Sequence, residues 1–114
     1  MLATAACGRT PAAPPDPSLV VRPIHVDSVE VLLAAAPSAH VQGILGDGCT
    51  ELSAVTQARA GNAIEITILS RRPADAICTQ IAKLYDAVLP LAGAFPSGQY
   101  VVTVNGVAAP FVLP

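Results

Sequence analysis

From Pro23 onward, apolar and polar residues alternate with a period of two more clearly than with a period of 3.6. Val29, Val31 and Leu33 alternate with Ser28, Glu30 and Leu32, as in a half-buried strand, and Ala34-Ala35-Ala36-Pro37-Ser38 interrupts the run. A second strand is predicted over 40–45. It ends at Gly46-Asp47-Gly48, where Asp-Gly supplies tight-turn chemistry. A weaker strand over 51–59 closes at Ala60-Gly61-Asn62. The clearest alternation sets Ile64, Ile66 and Ile68 against Glu65, Thr67 and Leu69, a strand with one buried face, and Arg71-Arg72-Pro73 ends it. Residues 74–88 admit two readings. Ile77, Ile81, Leu84, Tyr85 and Val88 recur at helical spacing, yet the segment is short, poorly capped and surrounded by strands. An irregular extended segment is preferred, with a short amphipathic helix as the alternative.

The C-terminal part carries the strongest local signal. Asn105-Gly106 separates the β-rich runs 101–104 and 107–113, and Asn-Gly suits a hairpin turn whose two central residues need positive φ. Pro110 makes the last run an edge strand or a bulged one. Phe95-Pro96-Ser97-Gly98-Gln99-Tyr100, an apolar residue, Pro and Gly ahead of a strand-opening Tyr, resembles the tyrosine corner of immunoglobulin-like sandwiches. About seven strands with turn signals every eight to twelve residues predict an all-β, immunoglobulin-like antiparallel β-sandwich. Trp is absent and the cysteines flank loops, which excludes an antibody-type domain.

Composition narrows the function more than it reveals it. At 114 residues the chain has room for one domain, assigned to 23–114, with 1–22 as a tether. A body of this size buries only a modest core, so a disulfide would add useful stability. The net charge of −2 and the scarcity of charged residues argue against nucleic acid as a partner. Few aromatics exclude a base-stacking platform or an aromatic carbohydrate cleft. No run approaches the ~18 apolar residues of a membrane span. The three cysteines include no C-x-x-C, which disfavours zinc and favours a disulfide in an oxidising compartment.

The start of the chain reads differently. Leu2-Ala3-Thr4-Ala5-Ala6-Cys7-Gly8 resembles the end of a bacterial lipoprotein signal, with Thr4 standing where Leu is usual and Cys7 as the lipid-accepting residue. The residues ahead of Cys7 are fewer than a complete leader needs, so this reading expects a basic and apolar leader upstream. The alternative is an alanine-rich N-terminus with a free thiol. Thr10-Pro11-Ala12-Ala13-Pro14-Pro15-Asp16-Pro17-Ser18 has too little to bury and favours extended polyproline II. At about 3.1 Å per residue it would hold a domain up to roughly 45 Å from a membrane.

Several short motifs recur in one order: Asp47-Gly48-Cys49-Thr50-Glu51-Leu52, Gly61-Asn62, Arg72-Pro73-Ala74-Asp75-Ala76-Ile77-Cys78-Thr79, Ser97-Gly98-Gln99-Tyr100 and Val104-Asn105-Gly106-Val107. Over roughly residues 24–113 they resemble a family of small exported bacterial lipoproteins with an immunoglobulin-like domain. Relatives in that family often carry Pro after the second cysteine, where this chain has Ala82-Lys83-Leu84. The resemblance implies a secreted β-sandwich with a Cys49–Cys78 bridge, and it implies no activity.

Candidate chemistry is sparse. His25 and Asp27 alternate onto one strand face, a two-ligand metal site that only His40 is left to complete with an imidazole. Polar side chains that simply face water are the better reading, with no metal and no cofactor expected. Ser38 and His40 are near neighbours, but no acidic orienter or oxyanion loop accompanies them in the sequence. Asp47 and Glu51 lack calcium-loop spacing, and no phosphate-cradling glycine loop exists. With the implied bridge in place, Asp47 and Glu51 come close to Arg71, Arg72 and Asp75, gathering five charges at one end of the sandwich. These residues are candidates for contact with a partner, the bland alternative being that they solvate loops and pair across the bridge. The sequence is read as a monomeric, membrane-tethered, extracytoplasmic, non-enzymatic domain that binds a protein or envelope component and meets the membrane only through its lipid. Rival readings are an inhibitor or sequestering protein for an exocellular enzyme, a small enzyme or metal-binding envelope protein, and a structural spacer.

Overall fold

The computed structural model describes residues 18–114. Cys7 and the proline-rich stretch up to Pro17 lie outside these residues. The described part contains no helix and forms eight strands: β1 (Leu19–Pro23), β2 (His25–Leu32), β3 (Ser38–Ile44), β4 (Glu51–Ala60), β5 (Ala63–Pro73), β6 (Leu84–Pro90), β7 (Gly98–Val104) and β8 (Val107–Leu113). They make a three-stranded antiparallel sheet in the order β2-β3-β6 and a five-stranded sheet built around β5. The predicted all-β sandwich is therefore observed. One feature departs from a purely antiparallel arrangement: β5 and β7 pair in parallel over Ala63–Ile66 and Val101–Val104.

β5 is long enough to serve two partners on one edge. β4 pairs along its other edge from Ala63 to Arg71, while β7 takes residues 63–66 and β1 takes residues 69–73. Between those two partners the ladder is broken at Ile68, and Asn105 fills the break. Its amide donates to the Ile68 carbonyl at 2.9 Å and the Ile24 carbonyl at 3.0 Å, and its oxygen accepts from the Ile68 N–H at 2.9 Å. Asn105 sits at φ 48° and Gly106 at φ 89°, as the β7–β8 hairpin turn requires. One side chain thus makes the turn and satisfies buried backbone that no strand reaches.

The core follows the period-two pattern. Ile64, Ile66 and Ile68 are buried from β5, against Ala39 and Val41 from β3 and Val102 and Val104 from β7. Glu65 between them is exposed. Val26 opens a bulge in β2 opposite Gly43, and a side chain on Gly43 would strike the His25 carbonyl oxygen and crowd the Val26 backbone. Glycine is required there because the obstacle is backbone and has no rotamer to yield.

Three sequence-based expectations change. The folded part begins at Leu19 rather than Pro23, because Leu19-Val20-Val21 pairs with Pro73, Arg72 and Arg71, and the Ala74 N–H reaches the Ser18 carbonyl at 2.7 Å. This also raises the strand count from about seven to eight. Arg71-Arg72-Pro73 does not end β5 but is its paired last segment. The preference for an extended 74–88 holds: irregular chain leads into β6, and its backbone groups are claimed by the loop after β3. Leu45 N–H donates to the Lys83 carbonyl at 2.8 Å and Gly48 N–H to the Thr79 carbonyl at 2.9 Å. A helix would have to give up those bonds, which is why the helical spacing of Ile77 and Ile81 has no consequence and both stay exposed.

Candidate functional site

Two places gather reactive or charged side chains. The first is the end of the sandwich where β5 finishes. Asp47 opens a turn after β3: its Oδ1 accepts from the Cys49 N–H at 3.0 Å and the Thr50 hydroxyl at 2.8 Å, while Thr50 N–H donates to the Asp47 carbonyl at 3.2 Å. That turn presents Cys49 to Cys78, and the two are bonded across a sequence separation of 29 with Cα atoms 5.6 Å apart. The implied bridge is thus observed. Arg72 runs beneath the turn, with its Nε 3.0 Å from Asp47 Oδ2. The contact is an ion pair off the line of a hydrogen bond, because the buried Nε–H has no aligned acceptor. Arg72 also makes long contacts of 3.4 Å to the Ala76 carbonyl and to Cys78 Sγ.

The Thr50 hydroxyl is the main cause that holds the Asp47 carboxyl below the usual carboxylate range. The Cys49 N–H and the Arg72 charge add to this, and partial burial opposes it. Asp47 is both a turn-forming acceptor and an ion-pair partner. Glu51 and Arg71 form a separate outer pair, Nε to Oε1 at 2.9 Å, across the β4–β5 ladder. Asp75 stands exposed in the turn after β5, with no ion pair among the described residues. Four of the five predicted charges therefore meet in two pairs, and the fifth joins neither. Asp47, Cys49 and Cys78 are also the closest grouping of metal-ligand types among the described residues, but both sulfurs are taken by the disulfide.

The mouth between the two sheets opens beside this corner. It is a cleft of about 280 Å³ lined by Arg22, Ile24, His25 and Ile44, with Asp47, Thr50, Ser70 and Arg72 also on its wall. Neither Arg22 nor the cleft was legible in the sequence, because Arg22 sits in the segment read as tether.

The second place is the outer face of the three-stranded sheet. His40 Nε2 meets Asp86 Oδ1 at 2.7 Å, and Gln42 donates to Asp86 Oδ2 at 3.1 Å. The other His40 nitrogen lies 3.9 Å from Glu30. These two hydrogen bonds, His40 first, hold the Asp86 carboxyl below its ordinary range. The sequence reading found no acidic orienter for His40, and the structure supplies one from β6, 46 residues away. Such a partner is invisible without the strand register, which sets Gln42 opposite Asp86. Among the described residues no hydrogen bond joins Ser38 to His40. His25 and Asp27 do share a face and bond at 2.8 Å. His40 lies four positions along β3 from Ile44, the partner of His25, roughly 13 Å away, and does not complete a site with them.

Residues 39–113 match the family model described as the ORF11 beta-sandwich domain. The chain belongs to that family. The ORF11 beta-sandwich match begins inside β3, so β1 and β2 lie ahead of it. An uncharacterized 10.2 kDa protein in the HgiCIIM 5′ region of Herpetosiphon aurantiacus is 33% identical over 81 residues, which cover 71% of this chain and 86% of that protein. Proteins described in the same way from the HgiBIM and HgiEIM 5′ regions of that organism are each 35% identical over 68 residues, 60% of this chain and 83% of theirs. No solved structure matches the chain.

Proposed function

We propose that this ORF11 beta-sandwich protein is a membrane-tethered, extracytoplasmic binding domain that acts without catalysis and presents its disulfide end to a protein or envelope component. The observation that carries the reading is the Cys49–Cys78 bridge, which joins two irregular loops beside an open cleft and two ion pairs. A bond of this kind persists in oxidising compartments, and loops fixed by a rigid scaffold are where recognition concentrates. The small-residue run ending at Cys7, followed by the proline-rich stretch, supports a lipid anchor and spacer. With the fold starting at Leu19, the spacer is shorter than the sequence alone implied.

Binding is favoured over chemistry because the carboxylates grouped at each place pair with a neighbouring cation or imidazole, and no two reactive groups converge on one open point. Catalysis needs a nucleophile, base and stabiliser aimed at one reacting atom, whereas recognition needs a shaped surface. The experiment has two arms. With a complete leader, wild-type protein should fractionate with membranes and Cys7→Ser should not, at unchanged thermal unfolding. A soluble wild type removes the tether. The tethered domain, cross-linked in the native envelope, should yield a discrete partner that is lost on replacing Glu51 and Arg71. Cross-links that survive those changes move the binding face elsewhere.

A further inference from the structure

We infer that the cleft at the disulfide end is an oxyanion site, receiving a carboxylate or phosphate group between Arg22 and Arg72. The inference deepens the binding role proposed for this end and rests on it. Arg22 pairs with Ser70 in the β1–β5 ladder, and Ser70 and Arg72 are two apart on β5. Residues opposite and diagonal across an antiparallel ladder share one face, with diagonal neighbours about 7–8 Å apart. Both guanidinium groups therefore reach the same cleft, and both line it.

The charges there do not balance. Asp47 is the one carboxylate on the wall. Its Oδ1 is taken by Cys49 and Thr50, and its Oδ2 faces Arg72. The buried Arg72 Nε is set against Asp47, and the outer end of the guanidinium keeps donor capacity, the Nη2 contacts being 3.4 Å long. The Arg22 guanidinium has no partner among the described residues; its backbone carbonyl, not its side chain, takes the Ser70 hydroxyl at 3.1 Å. The other polar groups on the wall are occupied: Thr50 bonds Asp47, and His25 bonds Asp27. Two cations against one carboxylate leave a net positive site, and guanidinium groups match planar or tetrahedral oxyanions with paired N–H donors.

Size and lining limit the ligand. About 280 Å³ is small beside pockets for drug-sized molecules, at roughly 300–1,000 Å³. Ile24, Ile44 and Leu45 form apolar wall beside the charges. The cleft suits the end of a ligand, an oxyanion with a short apolar stem, rather than a whole nucleotide.

The test titrates the oxidised domain with butyrate and, separately, with inorganic phosphate at constant ionic strength, following backbone amides by NMR. Saturable shifts should centre on Arg22, Thr50, Ser70 and Arg72. Arg22→Gln, an exposed change that leaves the core untouched, should weaken binding at least tenfold, and Lys83→Gln should not alter it. Butyrate ahead of phosphate assigns a carboxylate ligand, and the reverse assigns a phosphate. Shifts that do not saturate, or binding that survives Arg22→Gln, overturn the oxyanion site. If the envelope partner is still captured in that case, the binding role stands and only its chemistry is wrong.

Discussion

The two ends of β5 are closed by different physics. Near Ala63, aromatic packing does the work. The Tyr100 hydroxyl donates to the Pro96 carbonyl, and the ring stacks on Phe111 at 5.2 Å and meets Phe95 edge-on at 5.3 Å. Arg59 covers Phe95 with its guanidinium 4.3 Å from the ring centroid. Gln57 holds the adjoining loop through the Pro90 carbonyl at 2.7 Å and the Ala92 N–H at 3.0 Å. The predicted tyrosine corner is thus present. Near Pro73 a covalent bond and an ion pair hold the loops. A disulfide fixes distance without filling space, and that end keeps a cleft walled by two arginines, one of them without a partner among the described residues. At the aromatic end an open depression of about 380 Å³ beside Tyr100 is lined by Ala60, Asn62, Ala63, Gln99 and Val101, with no charged side chain on its wall, so the two ends differ in charge rather than in room.

Removing the bridge is the hardest test of this contrast. Cys49→Ala with Cys78→Ala should lower unfolding free energy by about 3–4 kcal/mol in urea, the chain-entropy value for a loop of this length. Hydrogen exchange should rise first in 45–50 and 74–83 while Tyr100 and Phe111 stay protected. A loss under about 1 kcal/mol would mean that the ladder from Leu45 to Thr79, not the bridge, closes this end. At the opposite end, Tyr100→Phe removes one hydrogen bond and leaves the ring in place. It should cost about 1 kcal/mol in the same assay. A cost as large as that of the bridge would make the two ends equals.

What the sequence revealed divides along the same line. The tyrosine corner, the Asn105-Gly106 turn and the isoleucine stripe of β5 were legible because each is a local pattern with a local cause. β1 was missed because Pro17 and Pro23 flank a short apolar run whose partner lies 48 residues on, Arg22 against Ser70. The second task of Asn105, mending the break in the β5 edge, belongs to the tertiary arrangement and has no sequence signature. The charge cluster was found, but its division was not. Arg72 lies inward at 30% exposure and Arg71 outward at 45%, a difference set by strand facing beyond the expected end of the strand.

Acid titration separates the turn from the ion pair. The folded Asp47 carboxyl is held below its ordinary value, so its stabilising effect is complete above the unfolded value of about 3.9 and is lost as pH falls through the folded one. Thermal unfolding should therefore weaken below about pH 4. The Thr50 hydroxyl is the largest single cause of the lowering, and Arg72 adds to it. Carboxyl-carbon NMR should accordingly show Asp47 titrating at higher pH in Thr50→Val than in the wild type. An unmoved titration would make the ion pair, not the turn, the organiser of this corner.

The smallest effect concerns the outer pair. Glu51 and Arg71 are register partners where β4 meets β5, their side chains 61% and 45% exposed and 2.9 Å apart. Ordering two long side chains in water offsets most of the attraction between them, and such pairs contribute about 0.2–1 kcal/mol. A double-mutant cycle on Glu51→Ala and Arg71→Ala should give coupling at the low end, under about 0.5 kcal/mol, fading further in high salt. Coupling well above 1 kcal/mol that persists in salt would show ion pairs sharing the closure of this end with the disulfide. A near-zero value leaves both groups free, at little cost to the fold, to exchange their internal partner for an external one.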